Sequence, residues 1–316
     1  MSAPQHIILI AINPNTEADR QKLAHALQVL MAEDPTFGIN SGVQPGQTIV
    51  RGVNELQLDL IVDRLKREFG VHMAVGNPQV AYKETLTRMA EGEGRYIRRI
   101  GERDHYAHAK IRVIPGDVDS GYVFEGEALA SVLPKVFVQS VDQGVREELI
   151  RGVLAGYPID DVKVELYDAS FHETDSSELA FKMAGGTAFR NAAKEAKPVL
   201  LEPIMATEVV VPEEYSGDII RDLNLRHGRI DSMEVRGTTC FIKSRVPLSK
   251  LLGYATELRS RTEGRGTHSM YFYQYEAVPG GPESNDGDRI APVVVPRTPK
   301  PKGKDPGTAL WEPGIE

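Results

Sequence analysis

Residues 169–181, ASFHETDSSELAF, place one histidine among three carboxylates and three serines. Histidine titrates near neutral pH and ligates metals, so His172 with Glu173 and Asp175 could move a proton or hold a cation. Ser170, His172 and Asp175 could also be ordered as nucleophile, base and acid. Residues this close in one loop rarely converge on one point, and no Gly-x-Ser-x-Gly elbow supports the set. Asp175 and Glu178 are spaced as N-cap and N3 of a capping box, which predicts that both hold N–H groups at a helix start. Their charge also suits the positive end of a helix. Ser170, Phe171 and His172 are then left projecting from a strand-to-helix turn with no structural duty.

Other chemistries lack their residues. There is no GxxxxGK[ST] phosphate loop, no Asn-Lys-x-Asp guanine reader and no HExxH. The single cysteine, Cys240, allows neither an internal disulfide nor a thiolate zinc cluster. It lies in the strand-like run TTCFIKS and reads as a small core hydrophobe, in keeping with a reduced, cytoplasmic setting. His105 and His108 bracket Tyr106 in a strand-like run, where alternation sends them to opposite faces. No catalytic residue and no metal site is expected.

The elements that must position the 169–181 loop follow from length and periodicity. A chain of 316 residues suits two or three domains. Its net charge of −8 argues against nonspecific coating of nucleic acid. Two local runs are basic, GRYIRRIGER (94–103) and ELRSRTEGRG (257–266), and each alone reads as a solvated face. No run approaches the ~20 apolar residues of a membrane span. The N-terminus lacks the basic start and cleavage pattern of a signal peptide.

The first 88 residues read as βαββαβ. HIILIAIN is a strand, Thr16 caps a helix with Leu23, Leu27, Leu30 and Met31 on one side, and FGINSG and QTIVRGV are short strands. Asn54 and Gln57 open a second helix as a capping box, its stripe is Leu58, Ile61, Val62, Leu65 and Phe69, and Gly70 ends it. VHMAVG and VAYKETLTR return as strands, with both helices on one face. The same order recurs from about residue 198. VLLEPIMATEVVV is a strand and SGDIIRDLNLRHG a helix ended by Gly228. IDSMEVRG and TCFIKSRVP form a hairpin, LSKLLGYATELRSRTEG is a helix with Leu251, Ala255 and Leu258 inside, and HSMYFYQYEAV closes the sheet.

The middle, 90–197, differs. Strands GRYIRRI, YAHAKIRVIP and GYVFEGEAL precede a helix from Pro134 that carries Phe137, Val141, Val145 and Leu149 and stops at Gly152. VKVELYDASFH is a strand running into the 169–181 loop, and a long helix follows from Ser176 to about Ala196. After Pro279 the pattern collapses into Pro, Gly and charge, which predicts a disordered tail holding the lone Trp311. The fold class is α+β: two ferredoxin-like βαββαβ domains (1–89 and 201–279) flank a βαβ domain (90–200), with a tail at 280–316.

Four stretches resemble the third, fourth and fifth domains of translation elongation factor G: VDRLKREFGVHMAVGNPQVAYKET, LAGYPIDDVKVELYDASFHETDSSELAFKMAG, AKPVLLEPIMATEVVVPEEYSGDIIRDLN and LLGYATELRSRTEGRG. The resemblance runs over residues 5 to 278 in order. It implies a ribosomal-protein-like fold for the middle domain. The family's GTPase and β-barrel lie outside it, so GTP and Mg²⁺ belong to that part, and this chain is expected to be a fragment or shortened relative that needs no cofactor. The implied partners are the ribosome (RNA of both subunits and stalk-base proteins), tRNA and the GTPase domain, with no membrane.

In the family the fourth domain is a finger whose tip enters the decoding site during translocation. By resemblance the tip comprises IGERDHYAH and ASFHE, with Arg103, His105, Tyr106, Ser170, Phe171 and His172 suited to RNA by shape, stacking and hydrogen bonding. Resemblance also places Arg226, His227, Arg259, Ser260, Arg261 and Arg265 near large-subunit RNA. The family's first tip loop is typically Gly-Gly-Arg-Gly-Gln-Tyr-Gly-His; here Glu102, Asp104, His105 and Ala107 depart from it. In the third domain, Asn54 and Gln57 replace the Gly and His of Gly-Met-Gly-Glu-Leu-His-Leu-Asp, and the Pro-rich tail stands in place of a C-terminal helix. These departures point to a divergent paralogue. The alternatives are a ribosome-recycling or ribosome-protection role, or an acylphosphatase-like enzyme. The last needs an arginine in the loop after the first strand, where INPNTEAD has none.

Overall fold

A computed structural model of the chain describes residues 5–42, 46–100, 103–126, 132–172 and 174–279. The proposed tail with Trp311, and Glu173 in the 169–181 loop, lie outside these residues.

The N-terminal domain comprises β1 (Ile8–Pro14), α1 (Glu17–Glu33), β2 (Gly38–Ser41), β3 (Thr48–Gly52), α2 (Glu55–Arg67) and β4 (Met73–Val75). Its antiparallel sheet has the order β2-β3-β1-β4. Thr16 caps α1 by accepting from Asp19 N, and Asn54 caps α2 by accepting from Gln57 N at 2.8 Å. Gln57 Oε1 accepts from Val53 N at 2.9 Å, one residue before the cap, and not from Asn54 N as the capping box predicts. Alternation sends Ile8, Ile10 and Ile12 toward Leu23, Leu27, Leu58 and Leu65 of the two helices. Leu9, Ala11 and Ile49 form a small separate cluster. Met31, expected inside, is 39% exposed, because it sits at the edge of the stripe that Leu30 ends.

The run VAYKETLTR does not close this sheet as expected. Only β5 (Gln79–Val80) pairs with β1, while β6 (Lys83–Leu86) pairs with residues 198–201 of the C-terminal domain. The period-2 pattern was legible, but which sheet would accept the strand was not.

The middle domain, called the finger below, comprises β7 (Ala90–Ile100), β8 (Arg103–Pro115), β9 (Tyr122–Glu125), α3 (Lys135–Arg151), β10 (Val162–Ser170) and α4 (Glu178–Glu195). Its sheet has the order β7-β8-β10-β9, with β9 and β10 parallel across α3. Both helices cover one face, where Ala107, Ala109, Ile111 and Val113 meet Val141, Val145, Phe181 and Phe189. Small residues let α4 lie directly on the backbone of β7. A Cβ on Gly94 would stand 2.0 Å from Ala184 O, and one on Gly92 2.2 Å from Ala188 O. The cap of α4 is Ser177, accepting from Ala180 N at 3.2 Å, and not Asp175 as the spacing predicted. Asp175 is instead used through its main chain, its carbonyl accepting from Tyr106 N at 2.8 Å, so the helix starts later.

The C-terminal domain comprises β11 (Pro198–Pro212), α5 (Ser216–Leu225), β12 (Arg229–Arg236), β13 (Thr239–Pro247), α6 (Tyr254–Arg261) and β14 (Thr267–Ala277). Its order β12-β13-β11-β14 repeats that of the first domain. Two expected helices differ. LSKLLGYATELRSRTEG splits into a 3₁₀ turn (Leu248–Lys250) and α6, because Gly253 takes φ +75° between them. As a result Tyr254 is buried beside Leu251 and Leu258, and Ala255 faces out. In α5 the left-handed residue that ends the helix is His227 (φ 59°), not Gly228. Gly228 serves close approach, since a Cβ there would stand 2.7 Å from Leu223 O. Cys240 is a fully buried core residue, and burial raises its thiol above the usual value. Among the described residues no helix is long and apolar enough to cross a membrane.

Candidate functional site

At the far end of β8 and β10, on the sheet face away from the helices, polar side chains collect. Ser170 sits opposite His108 in the ladder. Its hydroxyl pairs with Tyr106 Oη at 2.8 Å and His108 Nδ1 at 3.3 Å. His108 Nε2 meets Glu93 Oε1 at 2.9 Å, and Arg95 Nε donates to the same oxygen at 2.5 Å. The Arg95 hydrogen bond first, and then His108, hold the Glu93 carboxyl below its ordinary value. The His172 ring stands edge-on to Tyr106, with centroids 4.4 Å apart and planes at 87°.

His172 is held there by the turn that follows it. Ser176 Oγ accepts from His172 N at 2.9 Å and donates to Tyr106 O at 2.8 Å. Together with Asp175 O accepting from Tyr106 N, these bonds extend the β8 ladder past the last β10 pair. The serine that does this, like Ser177 at the cap, was not singled out from sequence. A Ser-Ser pair before a helix carried the signal, but the more acidic neighbours outweighed it.

The structure sorts the expected tip residues. Tyr106, Ser170 and His172 come together. Phe171 turns inward, 6.0 Å from Phe137 and against the finger core, so it anchors the turn instead of projecting. His105 lies on the helix side, its Nδ1 3.0 Å from Ser177 Oγ, which supports the α4 cap. His105 and His108 are on opposite faces, as alternation predicted. The side chain of Arg103 lies outside the described residues.

Ser170, Asp175 and His172 do not form the nucleophile–base–acid line that their spacing allowed. Ser170 pairs with His108, and Glu93 lies beyond it. Ser170 is exposed on an open strand surface, and its hydroxyl, His108 and Glu93 form a hydrogen-bonded line across it. Farther along this face the charges cancel in pairs: Lys110 with Asp168 at 2.8 Å, Arg112 with Glu91 at 2.8 Å, and Lys163 with Glu125 at 3.0 Å. Among the described residues no cluster of three or more His, Cys, Asp or Glu could hold a metal ion.

In the C-terminal domain the expected arginines are mostly engaged. Arg226 is bound by Asp222 at 2.9 Å and by Glu257, and its guanidinium lies 4.9 Å from the Tyr254 ring centroid. Arg261 reaches Glu257 at 2.6 Å and Asp222 at 3.3 Å. Arg265 pairs with Glu214 at 2.8 Å and stacks over Tyr215. His227, Arg259 and Ser260 are exposed around the same end of the domain.

Comparison with known proteins adds three adjoining matches. Residues 3–77 match elongation factor G, domain III; residues 78–197 match its domain IV; and residues 199–285 match the elongation factor G C-terminus. A crystal structure of a protein from Thermus thermophilus is 35% identical with a TM-score of 0.64, covering 89% of this chain. The chain spans 42% of that protein's length.

Proposed function

Because the chain belongs to the elongation factor G family, carrying its domains III, IV and C-terminal domain, we propose that it is a ribosome-binding arm that works mechanically. In this reading the finger enters the decoding site of the small subunit beside tRNA and mRNA and promotes translocation. The observation that carries it is the Tyr106–His172 pair, two ordered aromatic edges presented with the Ser170 hydroxyl at the end of a rigid sheet. Such a surface suits stacking and hydrogen bonding to single-stranded or looped RNA. The electrically paired face behind it restricts RNA contact to the tip.

The C-terminal domain would meet large-subunit RNA and stalk-base protein through His227, Arg259 and Ser260. Arg261 and Arg265 would exchange carboxylates for phosphates, while Arg226 keeps the turn in shape. GTP and Mg²⁺ chemistry is proposed to belong to a separate domain of the whole factor, and the setting is the cytoplasm. A recycling or protection role is the second reading, favoured by the acidic residues Glu102 and Asp104, which stand where the family's first tip motif has glycine.

The test is binding of the purified chain to ribosomes across a salt series. Binding should weaken as salt rises, and the His172→Ala/Tyr106→Ala variant should bind about tenfold less tightly. Salt-independent or undetectable binding would sink the proposal. Translocation and recycling assays with the whole factor then separate the two readings.

A further inference from the structure

Glu84 is 0% exposed, yet it carries a carboxylate. One loop of the finger surrounds it with main-chain donors. Oε2 accepts from Val153 N at 2.8 Å and Leu154 N at 2.9 Å. Oε1 accepts from Ala155 N at 2.7 Å, Gly156 N at 2.9 Å and Tyr157 N at 3.1 Å. Successive N–H groups converging in this way form an anion-binding concavity, and here the anion is a side chain of the same polypeptide. The curl depends on glycine: Gly152 has φ +67° and Gly156 φ +86°. A Cβ on Gly152 would stand 2.2 Å from Tyr157 O and 2.7 Å from Glu84 Oε1.

The strand that carries this carboxylate is held on both edges. Along one edge β6 runs antiparallel to β11, with Leu200 opposite Glu84. Along the other, Glu84 N donates to Pro158 O at 2.8 Å and Asp160 N to Glu84 O at 3.0 Å. Neighbours tighten the joint. Lys83 pairs with Asp160 at 2.8 Å and lies 4.6 Å from the Tyr275 ring, and Tyr275 Oη donates to Ala81 O at 2.9 Å.

We propose that Glu84 is a latch that fixes the angle between the finger and the C-terminal domain, so that displacement of the tip is transmitted to that domain as one body. A charge bonded by five donors is stable only while all are in place. Opening the joint leaves a buried charge or a row of unsatisfied N–H groups, so the joint resists gradual bending. The latch is a property of the free chain; its use on the ribosome rests on the proposed function.

The test is performed without ribosomes. Cysteines replace exposed Ile97 near the tip and exposed Tyr271 in the C-terminal domain, and native Cys240 is fully buried and does not compete for label. Pulsed electron paramagnetic resonance on the spin-labelled chain should give one narrow distance distribution. Glu84→Ala should broaden it at least twofold while circular dichroism stays unchanged. Formate, small enough to occupy the vacated place among the same N–H groups, should narrow the distribution again in that variant and have no effect on the parent. A distribution that stays narrow in Glu84→Ala, or is already broad in the parent, overturns the latch. Broadening that formate does not reverse overturns the anion seat as its cause. Should Glu84→Ala fail to fold, Glu84→Gln gives the same reading, since its amide faces N–H donors with a donor of its own. Lost ribosome binding with a narrow distribution would count against the proposed function alone.

Discussion

At the base of the finger, five main-chain N–H groups surround one buried carboxylate, whereas at its far end Ser170, Tyr106, His108 and His172 hold one another on an open strand face. Both ends order polar groups, but by different means. Main-chain donors cannot be moved without refolding the loop that carries them, and burial removes water as an alternative partner. Side chains on an exposed face lose little when one partner is removed, because water replaces it. The base is therefore built to keep geometry and the tip to offer contacts, and substitutions at the two ends should separate stability from binding.

The largest effect is expected from Gly152→Ala. It combines a left-handed backbone with a Cβ that would stand 2.2 Å from Tyr157 O, and should cost about 3 kcal/mol in urea unfolding. A cost below about 0.5 kcal/mol, the range of ordinary surface changes, would remove the rigidity assigned to the base. Next comes Gly94→Ala, where α4 touches β7 and a Cβ would meet Ala184 O at 2.0 Å. Overpacking there should cost about 2 kcal/mol, with ribosome binding kept by whatever fraction stays folded.

A smaller, pH-dependent effect is expected at Glu202, which is buried near the joint and hydrogen-bonded by Ser249 Oγ at 2.8 Å. Burial is the main cause that raises its carboxyl above the ordinary value, and the Ser249 bond opposes it. A raised folded value means that its contribution to stability is complete below the unfolded value and is lost as pH rises through the folded one. Glu202→Gln should therefore gain on the parent as pH rises from 4 to 8. A constant difference between the two thermal midpoints over that range would refute this.

The smallest stability changes belong to the tip. Tyr106→Phe and Ser170→Ala should each shift unfolding by no more than about 0.5 kcal/mol. If either unfolds the finger, the division between a structural base and a contacting tip fails.

Much of this was legible in the chain. Alternation in HIILIAIN and in Ala107–Val113, the stripes of α2 and α3, and the Asn54 cap are set by neighbours a few residues apart, so local periodicity revealed them. The four stretches quoted above carried the family resemblance for the same reason, being contiguous. What failed were readings in which several residues competed for one role. Asp175 lost the cap to Ser177 because Tyr106, on a distant strand, bonds the Asp175 carbonyl. Gly228 lost the helix end to His227 because its missing Cβ was needed against Leu223 and Val246.

The sequence by itself determined the element types, the repeated βαββαβ order and the absence of the motifs for phosphate-loop or zinc chemistry. The tertiary structure alone decided that β6 leaves the first sheet for the third, that Phe171 turns inward while His172 faces out, and that Glu84 ends among N–H groups some seventy residues away. The physical reason is range: hydrophobic period and capping act within a few residues, but a buried carboxylate or a strand edge is satisfied by whichever distant donors the packed chain brings to it.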